Sequence, residues 1–331
     1  MSHHTQKNET LPWIEKYRPN DLGGLISHSH IKATLKRFID NKFLPHLLFY
    51  GPPGTGKTST IMACARELYG KYMHLMVMEL NASDDRGIEV VRNKIKQFVS
   101  SGNAFYGTTV EEKDNIFKLV ILDETDAMTD DAQAILRQVV EKYTHNARFC
   151  LICNYIKKIN PALQSRCTSF RFSPLQVDQM KIKLDSIVDN ENLNITKKGM
   201  RCVLKRANGD MRRALNILQS TNMAYKKITE KNVNYCIGYP QKEQMDKIYN
   251  SLMNESFKNS YNTISEMKSE YGISIKDIID EIHEIIINNI MTKKDKRDID
   301  ILIRLKDLEY NIASTSNDSI QLSGLVAIFN F

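Results

Sequence analysis

Gly51-Pro52-Pro53-Gly54-Thr55-Gly56-Lys57-Thr58 follows the apolar run Leu47-Leu48-Phe49-Tyr50 and opens onto Ser59-Thr60-Ile61-Met62-Ala63-Cys64-Ala65, which reads as a helix. Strand, glycine-rich loop and helix are the context that a phosphate-binding loop requires. Glycines let the backbone turn tightly enough to aim N–H groups inward at an anion. The helix that follows adds unpaired N–H groups and the positive end of its dipole. In this pattern Lys57 reaches the outer phosphates and the Thr58 hydroxyl holds Mg²⁺.

Further along, Phe117-Lys118-Leu119-Val120-Ile121-Leu122 runs into Asp123-Glu124. Consecutive apolar residues ending in two carboxylates mark a buried parallel strand whose C-terminal end faces a site. There Asp123 positions Mg²⁺, directly or through its water, and Glu124 orients and polarises an attacking water. Acidic pairs after strands also occur as helix caps; the loop at 51–58 tips the reading toward chemistry.

The totals set the frame. A chain of 331 residues exceeds one typical core, so two or three domains are expected. A hydrophobic share of 42% and a charged share of 26% are ordinary for a globular protein. The net charge of +7 permits an anionic partner without proving one. Cys150 and Cys153 have C-x-x-C spacing but fall in an apolar strand, where an offset of three puts them on opposite faces. Neither metal nor redox use is expected of this pair, and a reduced, intracellular setting is. Residues 1–10 are polar without an apolar core, so no signal peptide is expected, and no apolar run approaches a membrane span.

Strands are expected at 47–50, 76–80, 117–122, near 148–153 and at 169–172, separated by helices near 31–40, 59–65, 88–99 and 130–143. Such βα units imply an α/β fold, an open parallel sheet with helices on both faces. From Gln176 onward only helices are predicted, with Asp210 capping the run that starts at Met211 and a boundary at Gly238-Tyr239-Pro240. Residues 11–20, rich in aromatic, basic and proline side chains, suit either a cover over a flat ligand or an arm packed on the surface. Arg92 and Lys96 share a helix face, with Arg86 just before it; this is a solvated basic face or a contact for a phosphate backbone.

Taken together, Trp13-Ile14-Glu15-Lys16-Tyr17-Arg18-Pro19, the loop at 51–58, Leu80-Asn81-Ala82-Ser83-Asp84-Asp85-Arg86-Gly87, Ser165-Arg166-Cys167 and Gly209-Asp210-Met211-Arg212 resemble the small-subunit family of eukaryotic replication factor C, clamp-loader AAA+ ATPases. The resemblance spans nearly the whole chain. It implies a AAA+ ATP-binding domain over 1–173, a helical lid over 174–239 and an all-α collar over 240–331. It implies ATP and Mg²⁺ as cofactors, and a hetero-pentamer with other replication factor C subunits. That machine opens a ring-shaped sliding clamp and places it on primer–template DNA, in the nucleus, without membrane contact.

By position, the resemblance assigns Ile14, Tyr17, Arg18, Leu25 and Ile26 to the adenine and ribose. Gly51, Pro52, Pro53, Gly54, Thr55, Gly56, Lys57, Thr58 and Ser59 serve the phosphates, with Thr58 and Asp123 at the metal. Asn154 is the polar sensor between the carboxylates and the γ-phosphate, Arg212 the lid sensor, and Asn81 a restraint on Glu124. Arg166 is an arginine finger for the neighbouring subunit's ATP. Arg86, Arg92 and Lys96 track the DNA backbone, and Phe105 and Tyr106 plug a pocket of the clamp. Asp123-Glu124-Thr125-Asp126 departs from the family's Asp-Glu-Ala-Asp at its third position, and Gln138 stands where relatives often carry a second arginine. Alternative readings are an ATP-binding scaffold that lends Arg166 but hydrolyses little, another P-loop machine such as a Holliday-junction motor, and a small-molecule kinase.

Overall fold

The computed structural model describes residues 11–26, 28–82, 88–100, 117–293, 296–312 and 317–330. These fall into two compact units: residues up to Asn192 together with Leu204–Gln219, and Leu193–Val203 together with Ser220 onward.

The first unit is built on five parallel strands in the order β2-β3-β4-β1-β5. They are β1 (Leu47–Tyr50), β2 (Val77–Asn81), β3 (Lys118–Asp123), β4 (Ala147–Cys153) and β5 (Thr168–Arg171). The helices of this unit that matter for the site are α1 (Trp13–Lys16), α2 (Ser29–Asp40), α3 (Lys57–Tyr69), α4 (Met73–Met76), α5 (Ile88–Ser100), α6 (Asp130–Tyr143), α7 (Pro161–Gln164) and α8 (Val177–Asn190). The short elements just before β2 were not expected. Gly70, at φ 49°, ends α3, and a 3₁₀ turn with α4 fills the chain before β2.

Strand parity sorts the core into two layers. Leu47, Phe49, Leu119, Ile121, Cys150 and Ile152 pack on one side with Ile31, Leu35 and Ile61. Leu48, Val120, Leu122, Phe149, Leu151 and Cys153 pack on the other with Ile95, Leu136 and Val140. Cys150 and Cys153 thus lie in opposite layers, as the period of two requires. Both faces of the sheet are covered, which is why its central strands are continuous apolar runs. Thr129 caps α6 by accepting from Ala132 N at 3.3 Å.

In the second unit, α9 (Lys197–Ala207) and α10 (Met211–Ala224), which both begin or end in the first unit, are followed by α11 (Glu230–Cys236), α12 (Lys242–Asn254), α13 (Phe257–Tyr271), α14 (Ile275–Lys293), α15 (Lys296–Ile312) and α16 (Asp318–Phe329). Its core is aliphatic: Ile248, Leu252, Ile264, Ile278, Ile282, Ile286, Leu325 and Val326 are almost fully buried. Among the described residues, no helix is long and apolar enough to cross a membrane.

Candidate active site

Parallel register places the chemistry. Tyr50 pairs with Cys153 and Asn81 with Asp123, so the chain leaves β1, β2, β3 and β4 at one edge of the sheet. The loop at 51–56, the Asp123-Glu124 pair and Asn154 therefore meet at the carboxyl ends, where ligands of open parallel sheets bind. They line a cleft of about 390 Å³, within the range of small-molecule sites.

Glycine is required in the loop for reasons of space. Gly51 sits at φ 141° and Gly54 at φ 67°. A Cβ on Gly51 would lie 2.0 Å from the Phe172 carbonyl oxygen, and one on Gly54 would lie 1.6 Å from Asp210 Oδ1. The loop can thus pass directly beneath the start of α10, where Met211 N donates to Gly54 O at 3.1 Å. Asp210 caps that helix, accepting from Arg213 N at 3.0 Å.

Lys57 is buried, and its Nζ donates to Gly51 O at 2.7 Å, Pro52 O at 2.9 Å and Asn154 Oδ1 at 3.0 Å. Burial pushes the ammonium below the usual lysine range, and Asp123 pulls the other way. Thr58 Oγ1 donates to Asp123 Oδ2 at 2.7 Å. Asp123 Oδ1 accepts from Glu124 N at 2.8 Å, which helps hold Glu124 in the left-handed region at φ 55°. Thr125 is fully buried and donates to Leu122 O at 3.0 Å, so the departure from alanine adds an internal bond beside the carboxylates. Asp126 fixes the end of β4 by accepting from Asn154 N at 3.2 Å and Tyr155 N at 3.1 Å.

The donor set fits a magnesium nucleotide. A glycine cradle, a buried cation and a helix start suit a polyphosphate. One hydroxyl beside one carboxylate suits Mg²⁺, which binds through one or two carboxylates, waters and phosphate oxygens. Among the described residues, no group of three or more His, Cys, Asp or Glu side chains could hold a metal by itself.

The cleft wall brings together most of the expected residues. Ile14, Tyr17, Arg18, Leu25 and Ile26 line it from the N-terminal side; Pro53 to Ser59 form the floor; Asn81, Asp123, Glu124, Asn154 and Arg212 complete it. Gly51 and Pro52 do not line the cleft and contribute carbonyls to Lys57.

Arg166 is not in the cleft. It is exposed, donates to Ala162 O at 2.6 Å and pairs with Glu141 on α6. Lys96 is exposed on α5. Arg86, the side chain of Arg92, Phe105 and Tyr106 lie outside the described residues.

Several lining residues went unforeseen: Glu15, Pro19, His28, Thr60, Leu175, Met211 and Leu215. Met211 and Leu215 carry the helical apolar spacing of an ordinary core stripe, so their sequence signal could not separate packing from ligand contact. His28, in the left-handed region at φ 63°, packs edge-on against Phe172 at 4.9 Å. Burial, then His30 and Lys32, lower its pKa from the ordinary histidine value.

Residues 47–175 match the family described as "ATPase family associated with various cellular activities (AAA)", and residues 240–328 match the "Replication factor C C-terminal domain". The chain is 50% identical to human replication factor C subunit 5 over 324 residues, covering 98% of this chain and 92% of the human protein. This chain belongs to the replication factor C family. Replication factor C subunit 3 of Schizosaccharomyces pombe is 46% identical over 318 residues, covering 96% of this chain and 90% of that protein. The corresponding subunit 3 of Saccharomyces cerevisiae is 42% identical over 333 residues, covering 98% and 95%. As a member of this family with an intact AAA module, the protein is a nucleotide-binding ATPase. The Thermotoga maritima RuvB Holliday junction branch migration motor shares its fold, with a TM-score of 0.52 at 15% identity over 71% of this chain and 79% of that one.

Proposed function

We propose that this replication factor C-family chain works as one ATPase subunit of a five-membered clamp loader in the nucleus, opening a ring-shaped clamp and closing it on primer–template DNA. One observation carries the reading. Lys57, Thr58, Asp123, Glu124, Asn154 and Arg212 converge on one cleft, while Arg166 stands exposed outside it. A site that holds its own base and metal ligands but points its spare arginine elsewhere is suited to be completed by a neighbour.

In this reading Lys57 and the loop N–H groups hold the β- and γ-phosphates, and Arg212 meets the γ-phosphate from the lid. Thr58 and Asp123 hold Mg²⁺, which neutralises charge on the phosphates. Glu124 accepts a proton from the attacking water, and Asn154 links that region to Lys57. Ile14, Tyr17, Arg18, Leu25 and Ile26 face the adenine and ribose. Arg166 serves the next subunit, where an arginine finger is worth ~10³–10⁵ in rate.

Lys96, with Arg86 and Arg92, meets phosphates rather than bases, which positions DNA without reading its sequence. The ATPase module (1–173), lid (174–239) and collar (240–331) divide this labour. Ile299, Ile303 and Tyr310 lie on one face of α15 and are exposed, at 45%, 58% and 80%; such an apolar face supports packing against sister subunits.

The test is reconstitution with four sister subunits. Incorporation into the pentamer and ATP turnover stimulated by clamp and primed DNA are expected. A chain that forms a homohexameric ring, or phosphorylates a small acceptor, would refute the reading.

A further inference from the structure

The segment carrying Ile14, Tyr17 and Arg18 is a wall of the cleft, yet α1 is only four residues long and supplies little hold of its own. Its fastening comes from helices far along the chain. Trp13 N donates to Gln219 Oε1 at 3.0 Å, on the helix that begins with Met211-Arg212. Three residues on, Lys16 Nζ reaches Glu191 Oε1 at 2.5 Å, and the Tyr17 hydroxyl donates to the same oxygen.

Glu191 is the C-cap residue of α8. A carboxylate there faces the negative end of the helix dipole, a position that favours cations. Burial also works against its charge, yet the hydrogen bonds from Lys16 and Tyr17 prevail and bring its pKa below the usual carboxylate range. Burial and then Glu191 raise the Tyr17 pKa above its ordinary value, so the hydroxyl keeps its proton and remains a donor. The acid is therefore stabilised by the two side chains of the wall rather than by its own helix.

We infer that Glu191 is a positioning residue for nucleotide: it clasps Lys16 and Tyr17 so that the wall formed by Ile14, Tyr17 and Arg18 is set at the distance of a bound base. The inference rests on the nucleotide reading of the cleft and goes beyond it, because Glu191 does not line the cleft. Its consequence is selective. Loss of the clasp weakens binding of a ligand that has a base and leaves a bare polyphosphate unaffected, since the loop at 51–58 does not depend on it. A residue needed only for stability would affect both ligands alike.

The full chain is titrated calorimetrically with ATP and with inorganic tripolyphosphate, each with Mg²⁺. Glu191→Ala is expected to raise the Kd for ATP about tenfold, the order expected for losing a charge-assisted hydrogen bond, with the tripolyphosphate Kd unchanged. Glu191→Gln, which keeps an acceptor, should fall between. Tyr17→Phe removes one hydroxyl and should reproduce part of the loss, and it decides the matter if Glu191→Ala does not fold. Unchanged ATP binding in the variants, or equal losses for both ligands, overturns the inference. A wild-type chain that binds neither ligand removes the nucleotide reading, and the clasp with it.

Discussion

Arg166 and Glu141 form an ion pair within the chain, between the turn after α7 and the C-terminal part of α6. Glu141 is shared, since Arg137 Nε lies 3.7 Å from the same oxygen. The side chains of Arg166 and Glu141 are 37% and 41% exposed, and a pair so exposed is worth about 0–1 kcal/mol. Arg166 is therefore held loosely, and exchanging Glu141 for a neighbour's phosphate costs little. In the assembled particle, Arg166→Ala is expected to slow hydrolysis at the adjoining site by ~10³ or more and to leave ATP binding by its own chain unchanged. Glu141→Gln should raise turnover by no more than about fivefold, the equivalent of ~1 kcal/mol. Single-turnover hydrolysis measures both, and an unaffected rate in Arg166→Ala would remove the finger.

Glu124 and Lys57 should separate hydrolysis from binding. Glu124→Gln keeps the shape of the site and is expected to lower turnover ~10²–10⁴-fold, the range for a lost general base, with nucleotide still bound. Lys57→Met removes the ammonium that joins Gly51 O, Pro52 O and Asn154 Oδ1, and it should abolish binding itself. Phosphate release and filter binding, run on the same preparations, distinguish the two. A silent Glu124→Gln in the full complex would reduce this subunit to a nucleotide-gated holder of Arg166.

Gly51 is under a backbone constraint that Gly70 lacks. The Phe172 carbonyl that a Gly51 Cβ would strike is fixed to the sheet, because Phe172 N donates to Tyr50 O at 2.8 Å. Gly70 also has positive φ, but nothing lies within 4 Å of its Cβ position. Gly51→Ala is expected to cost ~1–3 kcal/mol from conformation alone plus the clash, and Gly70→Ala only the conformational part. Chemical denaturation of the two variants tests the order.

Acid should destabilise the first unit through His46. Its ring is buried, with Nδ1 accepting from Phe149 N at 3.2 Å and Nε2 3.3 Å from Thr144 Oγ1. Burial and then the nearby Arg148 push its pKa down to about 4, whereas an unfolded histidine titrates near ~6.5. The unfolded chain therefore binds a proton first on acidification. The contribution is complete above ~6.5 and is lost as pH falls toward about 4. His46→Asn should remove up to one proton from the pH dependence of unfolding across that window, and unfolding curves at successive pH values will show it. A slope identical to wild type would contradict the assignment.

Lys96 offers a test of DNA contact. Lys96→Ala in the assembled loader should weaken binding to primed DNA to the same extent for every sequence, and should flatten the log–log salt slope by ~0.9. Sequence-dependent weakening would mean a base contact instead.

The parts of this protein that chemistry writes locally were legible in one dimension. The loop at 51–58 turns through positive φ at Gly51, Gly54 and Gly56, and a helix must start at its end; both demands fall on neighbouring residues. Strand parity foretold that Cys150 and Cys153 would face opposite layers, and the apolar run before Asp123 foretold a covered sheet. Resemblance then supplied Asn154, Arg212 and Arg166, whose roles no local pattern reveals. Folding in three dimensions decided the rest. Lys16 and Glu191 lie 175 positions apart, and Trp13 and Gln219 lie 206 apart. Leu215 belongs at once to a core stripe and to the cleft wall. Which distant side chains meet depends on how whole helices pack across a sheet, and that geometry is a sum over many weak contacts rather than a property of any short stretch.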